Sequence, residues 1–272
     1  MLGGMREKMR KYGEIMRVYL KTQLVWRADV VFHMLFTVGR ILFAWLLWGM
    51  IFGERNTVAD FTFHSMLSYY IVSSFLTELE MSKGISGEIS ARIRNGTLSN
   101  YMVMPVSMEG YFAAMEAGVV LFYLFFDLAA AGVWVFLFRI RFVFAQSAAV
   151  LLGGLLMTLL GLFFMVQLNF FLGILTLKYE EISTFLMIKD NLAALVTGSI
   201  VPLVLFPEPI VQVMRMLPFY YVTYLPSMLF IGRCADEAVR GLVILGGWCL
   251  LMQGIILITW RKYRRRYDGV GI

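Results

Sequence analysis

Two cysteines and two histidines are all that this chain of 272 residues offers to disulfide or metal chemistry. Cys234 falls between apolar runs and Cys249 inside one, so neither a disulfide framework nor metal-ligand spacing is present. His33 and His64 each stand near the end of an apolar run and read as packing or interfacial residues. Glycine is never followed by lysine, which removes the Walker phosphate loop. His-Glu-x-x-His, Gly-x-Ser-x-Gly and dinucleotide fingerprints are missing too. No catalytic residues can be named, and no metal site. Charge is scarce as well, at 15% of residues against 60% hydrophobic. No soluble domain of this length needs so much apolar surface, but a bilayer does, since each crossing takes roughly 20 mostly apolar residues.

Six such runs are present, at Val30–Phe52, Phe61–Met81, Gly110–Phe138, Phe142–Leu177, Thr184–Phe206 and Gly241–Trp260. Backbone amides in lipid must be paired within their own segment, and the alternation of a membrane barrel is absent, so the runs predict helices. The chain is expected to be one all-α membrane domain over 1–272 with six transmembrane helices. Lysine and arginine set its orientation. The N-terminal segment, the loops after the second and fourth runs, and the C-terminal tail hold most of them. Both termini are therefore expected in the cytoplasm. The net charge of +6 is a topology signal and an attraction to anionic lipid heads, not a nucleic-acid footprint.

The polar intervals are more informative than the spans. From Met5 to Trp26, Met5, Met9, Tyr12, Ile15, Met16, Tyr19 and Leu20 recur at helical spacing, with Arg6, Arg10, Arg17 and Lys21 largely opposite. That predicts an amphipathic helix over 5–27, lying in the membrane interface or solvated ahead of an anchor, and not the apolar core of a cleavable signal peptide. Residues 82–105 hold Ile85, Ile89 and Ile93 four apart, with Glu88, Arg92 and Arg94 on other faces and Asn95-Gly96 as a stop. This is either a short helix built to dock or a plain connection. The fourth run exceeds what a bilayer requires, which allows a strong tilt, an extension, or a break near Gly161 or at Gln167 and Asn169. Residues 207–235 are interrupted by Pro207, Pro209, Pro218 and Pro226 around Phe219-Tyr220-Tyr221, too broken for one span and too apolar for a solvated loop. Short helices dipping into the outer leaflet fit, provided their backbone groups are buried against protein. In the fifth run, Pro202 after Thr197-Gly198-Ser199 predicts a kink beside a close helix contact.

Arg40 lies near the middle of the first run, and Glu116 and Asp127 lie within the third. Such groups usually face protein or water and pair with one another. At 1.5 Å per residue Arg40 lies roughly 15 Å from the inner end, Glu116 roughly 9 Å and Asp127 roughly 25 Å. Either carboxylate is a candidate partner for Arg40, as a register-fixing ion pair or as part of an ion path. In the second case the protein would be a stand-alone secondary transporter or channel.

The order of these parts resembles the permease subunit of type-2 ABC transporters, nearly end to end. The likeness rests on the N-terminal helix leading through Trp26-Arg27-Ala28-Asp29 into the first span, and on Arg94-Asn95-Gly96-Thr97-Leu98 followed by Pro105-Val106-Ser107. It rests also on Leu217-Pro218-Phe219-Tyr220-Tyr221 with Pro226 and Gly232, similar to the family's re-entrant helices. The resemblance implies a multi-pass protein of a bacterial cell membrane that exports a hydrophobic or amphiphilic cargo such as a drug, antibiotic, peptide or lipid-like molecule. It implies no cofactor on this chain, with ATP and magnesium held by a separate ABC ATPase subunit, and a second permease copy, identical or related. Ile85, Ile89 and Ile93 would anchor the coupling helix in a groove of that ATPase, with Glu88, Arg92, Arg94 and Gly96 beside them.

Overall fold

The computed structural model describes residues 2–25, 27–53, 56–58, 60–137, 141–197 and 203–264. Eleven α-helices occur among them: α1 Leu2–Thr22, α2 Arg27–Phe52, α3 Phe63–Leu79, α4 Lys83–Arg94, α5 Ser99–Met102, α6 Met108–Leu137, α7 Ala148–Ile174, α8 Ser183–Val196, α9 Glu208–Met214, α10 Leu225–Phe230 and α11 Ala238–Tyr263. No strand forms among the described residues; extended pairing is limited to one bridge between Val58 and Phe61. The expected all-helical class is what the chain adopts.

Four helical stretches are long and apolar enough to cross a membrane: Val30–Phe52, Met108–Val133, Ala148–Leu177 and Ala235–Tyr263. They correspond to the first, third, fourth and sixth apolar runs. Large apolar side chains such as Phe36, Phe125, Leu156 and Leu250 stand outward on them. Water would not tolerate so much exposed apolar surface, whereas lipid does. The second and fifth runs yield helices of 17 and 14 residues, α3 and α8. At 1.5 Å per residue these measure roughly 26 and 21 Å, short of a bilayer core of about 30 Å. Pro202, Gly198 and Ser199, and with them the expected kink, lie outside the described residues.

Of its expected alternatives, the long fourth run does not adopt the helix break. Its first residues are not helical: the Val143 amide donates to Ser68 Oγ at 2.9 Å and the Ala145 amide to the Phe230 carbonyl at 2.8 Å. Helix α7 then continues unbroken through Gly161, Gln167 and Asn169. Part of the run's length is thus a non-helical entry strap, and 30 helical residues remain, more than a bilayer requires.

Helix α7 is the spine of the fold. Against it lies the segment from Pro218 to Phe230, which includes a π turn at Tyr220–Tyr224 followed by α10. Pro218, Phe219, Tyr220, Tyr221 and Pro226 are all buried. A Cβ added to Gly161 would sit 3.1 Å from the Val222 Cα, so the absence of a side chain there lets this segment approach α7 backbone to backbone. Phe219 packs edge-on to Phe164, 16 residues into α7, or roughly 24 Å along it. The proviso that such a broken segment must bury its backbone against protein is met by its own chain.

Helix α1 uses its apolar stripe on α6. Tyr12 hydrogen-bonds Ser107 Oγ at 3.1 Å and Tyr19 meets the Tyr111 hydroxyl at 2.6 Å. A Cβ on Gly118 would fall 2.3 Å from the Met16 carbonyl oxygen, a clash no side chain could relieve. The predicted amphipathic helix therefore exists, and its apolar face is partly covered by protein, with Met9 exposed.

Candidate functional site

The α3–α4 end of the molecule gathers most of the residues singled out in the sequence. Helix α4 ends where Asn95-Gly96 predicts. The Thr97 amide donates to the Arg92 carbonyl at 2.9 Å and the Gly96 amide to that of Ile93 at 3.2 Å, with Gly96 at φ +69°. This pair of bonds is a Schellman cap, and the left-handed backbone it needs costs glycine little. Leu98, just beyond, is fully buried and fixes the exit direction. The Arg94-Asn95-Gly96-Thr97-Leu98 run is a stop signal with a physical cause.

The isoleucine stripe behaves otherwise than expected. Ile85, Ile89 and Ile93 are each 0% exposed within this chain alone. Ile89 lies so close to α7 that a Cβ on Gly173 would be 2.8 Å from its own Cβ. These residues seat α4 on α7, so in this conformation they are not available to a partner's groove. The surface left open is the opposite one, carrying Lys83, Gly84, Gly87, Ala91 and Arg94. Glu88 and Arg92 lie between the two faces and hold each other at 3.2 Å. The Tyr101 hydroxyl donates to Glu88 at 2.9 Å, and the Arg92 guanidinium stacks 4.9 Å from the Tyr101 ring. Burial, and then the carboxylate it donates to, raises the Tyr101 phenol well above its usual range, so it remains a donor. Tyr101 in turn packs against Tyr111, the hydrogen-bond partner of Tyr19. An unbroken line of contacts therefore connects α1, α6, α5 and α4.

Among the intramembrane charges, Arg40 pairs with Glu78 of α3, a residue outside the two expected candidates. The register of the α2–α3 hairpin explains this. Phe52 meets Phe63 and Trp48 meets Tyr70 across it, and eight residues further along each helix stand Arg40 and Glu78. Counting depth along single runs could not find this partner; pairing the two helices does. Asp127 is buried on α6. Glu116 is also buried, beside Glu80 and the Met81 amide, and its Oε1 has no hydrogen-bond partner. We expect Arg40→Glu to reduce the yield of monodisperse protein on size-exclusion chromatography and Arg40→Glu/Glu78→Arg to restore it. Rescue by Glu116→Arg instead would mean the hairpin register is wrong.

A buried polar chain, which sequence reasoning missed, joins α8, α7 and the α3–α4 turn at the same end. Lys189 of α8, 6% exposed, donates to Asn169 Oδ1 at 2.9 Å and pairs with Asp190 at 3.0 Å. Asn169 Nδ2 donates to Ser82 Oγ at 2.7 Å, and the Ser82 hydroxyl donates to Glu80. The available signal was a Lys-Asp pair inside an otherwise apolar run. A second chain runs from Gln167 Nε2 to Gln253 Oε1 at 2.6 Å and from Gln253 Nε2 to Glu109 Oε2 at 2.9 Å, tying α7, α11 and α6. Next to the first chain is a cavity of about 90 Å³, lined by Thr77, Glu80, Lys83 and Asp190 on polar sides and by Met165, Phe219 and Val222 on apolar ones. No group of acidic, histidine or cysteine residues suited to a metal occurs among the described residues.

The arrangement consists of helices with apolar outer faces, a capped surface helix clamped to a central spine, and buried polar links between them. Residues 38–271 match the family model described as ABC-2 family transporter protein. No curated protein matches the chain. With the match covering most of its length, the chain belongs to the ABC-2 transporter family and is a multi-pass membrane permease of an ABC transporter, a transport subunit and not a catalytic one.

Proposed function

We propose that this permease forms half of an ATP-driven export route and takes its energy through α4. The observation that carries the reading is the clamping of that helix. One face is locked into the α7 core, while Lys83, Gly84, Gly87, Ala91 and Arg94 are exposed on the other, Arg94 lying 3.7 Å from the Glu181 carboxylate. A helix held this way transmits displacement to the transmembrane bundle instead of swinging loose. Small residues on the free face allow a partner's backbone to come close, and the two bases suit an acidic rim. The partner is a separate ABC ATPase subunit that holds ATP and magnesium, and closure of an ATPase pair would bias the permease between two arrangements.

In this reading α3 and α8, extended by their flanking residues, complete six crossings, with both termini in the cytoplasm of a bacterial cell. The segment over 207–235 re-enters from the outer side, and two permease copies face each other across the route. The cargo is hydrophobic or amphiphilic. The cavity beside Phe219 offers charged and apolar walls together, in keeping with one polar group on a greasy molecule.

The test is co-expression with an ABC ATPase subunit that carries Walker motifs. Gly87→Trp and Arg94→Glu, at positions open to solvent, should leave the chain's melting temperature unchanged and lower ATPase co-purification about tenfold or more, the size expected for a central interface position. Undiminished co-purification would place the docking surface elsewhere. A stand-alone ion-coupled carrier built on Arg40, Glu116 and Asp127 has no comparable support, since Arg40 is engaged with Glu78 and Glu116 lies beside Glu80.

A further inference from the structure

A groove of about 360 Å³ separates α1 from the turn that enters α6. Its floor is apolar, formed by Ile15, Met104, Val106 and Tyr111, and its rim carries Arg10, Lys11 and Glu14. The stretch of α6 long and apolar enough to cross a membrane starts at Met108, which would set residues 104–106 at the edge of the hydrocarbon and the rim at headgroup level. Lys11 is taken up by Glu7 at 3.0 Å. Arg10 is exposed and makes no ion pair among the described residues. Glu14 follows one turn later on the same wall and adds an acceptor.

A freely floating interfacial helix would attract lipid all along its basic side. Here α1 is pinned to α6 by Tyr12 on Ser107, by Tyr19 on Tyr111 and by the Met16 backbone on Gly118, so the groove has a fixed width and a fixed rim. A guanidinium takes a phosphate through paired, charge-assisted hydrogen bonds. A headgroup that also carries hydroxyls can donate to Glu14, which choline cannot. The geometry points to a site for one anionic glycerophospholipid, with its acyl chain on Ile15, Val106 and Tyr111, its phosphate on Arg10 and its headgroup hydroxyls on Glu14. Through Tyr111 the occupant touches the line of contacts that reaches Glu88 on α4. The site itself stands apart from the coupling reading and survives or fails without it.

The experiment uses the full chain, without ATPase, in phosphatidylcholine nanodiscs doped with phosphatidylglycerol carrying a photoactivatable acyl chain. Adducts mapped by peptide mass spectrometry should concentrate on the segments holding Ile15 and Val106–Tyr111. They should fall about fivefold or more in Arg10→Glu, which removes a charge-assisted contact, and in Val106→Trp, which fills the groove. They should also persist in excess inorganic phosphate. Equal adducts from a photoactivatable phosphatidylcholine would overturn the site as ordinary bilayer contact. So would adducts unchanged in both variants, and loss of adducts to phosphate would make it a free-anion site instead.

Discussion

Ile89→Asp is expected to abolish recovery of the folded permease, not merely to detach a partner. The side chain is 0% exposed and pressed on α7 at Gly173, so the substitution places a carboxylate where neither water nor a cation can reach it. Stranding such a charge costs about 4 kcal/mol or more, a large share of any marginal stability. Ala91→Asp, on the open face of the same helix, is the control, with an expected change within about 0.5 kcal/mol. Thermal unfolding of detergent-purified protein measures both. Were Ile89→Asp to unfold like the parent chain while losing only its ATPase, the isoleucine stripe would be a docking surface after all, and the packing of α4 on α7 would not be that of the working state.

The second expectation concerns the buried chain through Asn169. Replacing Asn169 with Leu takes away the Oδ1 that accepts from Lys189 and the Nδ2 that donates to Ser82. Lys189 then keeps only Asp190 in a site where its ammonium is almost fully enclosed. A loss of about 3 kcal/mol follows from leaving a buried charged donor short of an acceptor. The double variant Asn169→Leu/Lys189→Met should recover part of it, because removing both partners leaves no stranded charge. A coupling of about 1 kcal/mol or more in the double-mutant cycle is the predicted reading. Additive losses would show that the two side chains do not act as a pair.

Several features could be read without any knowledge of neighbouring helices. The end of α4 at Asn95-Gly96 is one, because a Schellman cap is local chemistry within a few residues. The amphipathic stripe of α1 and the need for 207–235 to bury its backbone are others. Proline positions and apolar spacing reported both, though not what would cover them.

Contact partners were beyond reach. Arg40 was weighed against the carboxylates of the third run because depth along one helix can be counted, whereas its true partner depends on the α2–α3 register. The links of Lys189 to Asn169, Ser82 and Glu80 exist only once α8, α7 and the α3–α4 turn converge. The apolar stripe of α4 had two possible covers, a foreign groove or the chain's own spine.

Hydropathy and local capping are properties of consecutive residues, and they sufficed for the helical class and the membrane setting; the transporter family rested on the resemblance of motifs in order and on the family match. Which face of a helix stays free, and which buried charge meets which, are set by the way separate helices lie against each other. For α4 the Cβ-less Gly173 on α7 settled that question, by giving its isoleucines a place inside the molecule and turning Lys83, Gly87 and Arg94 outward.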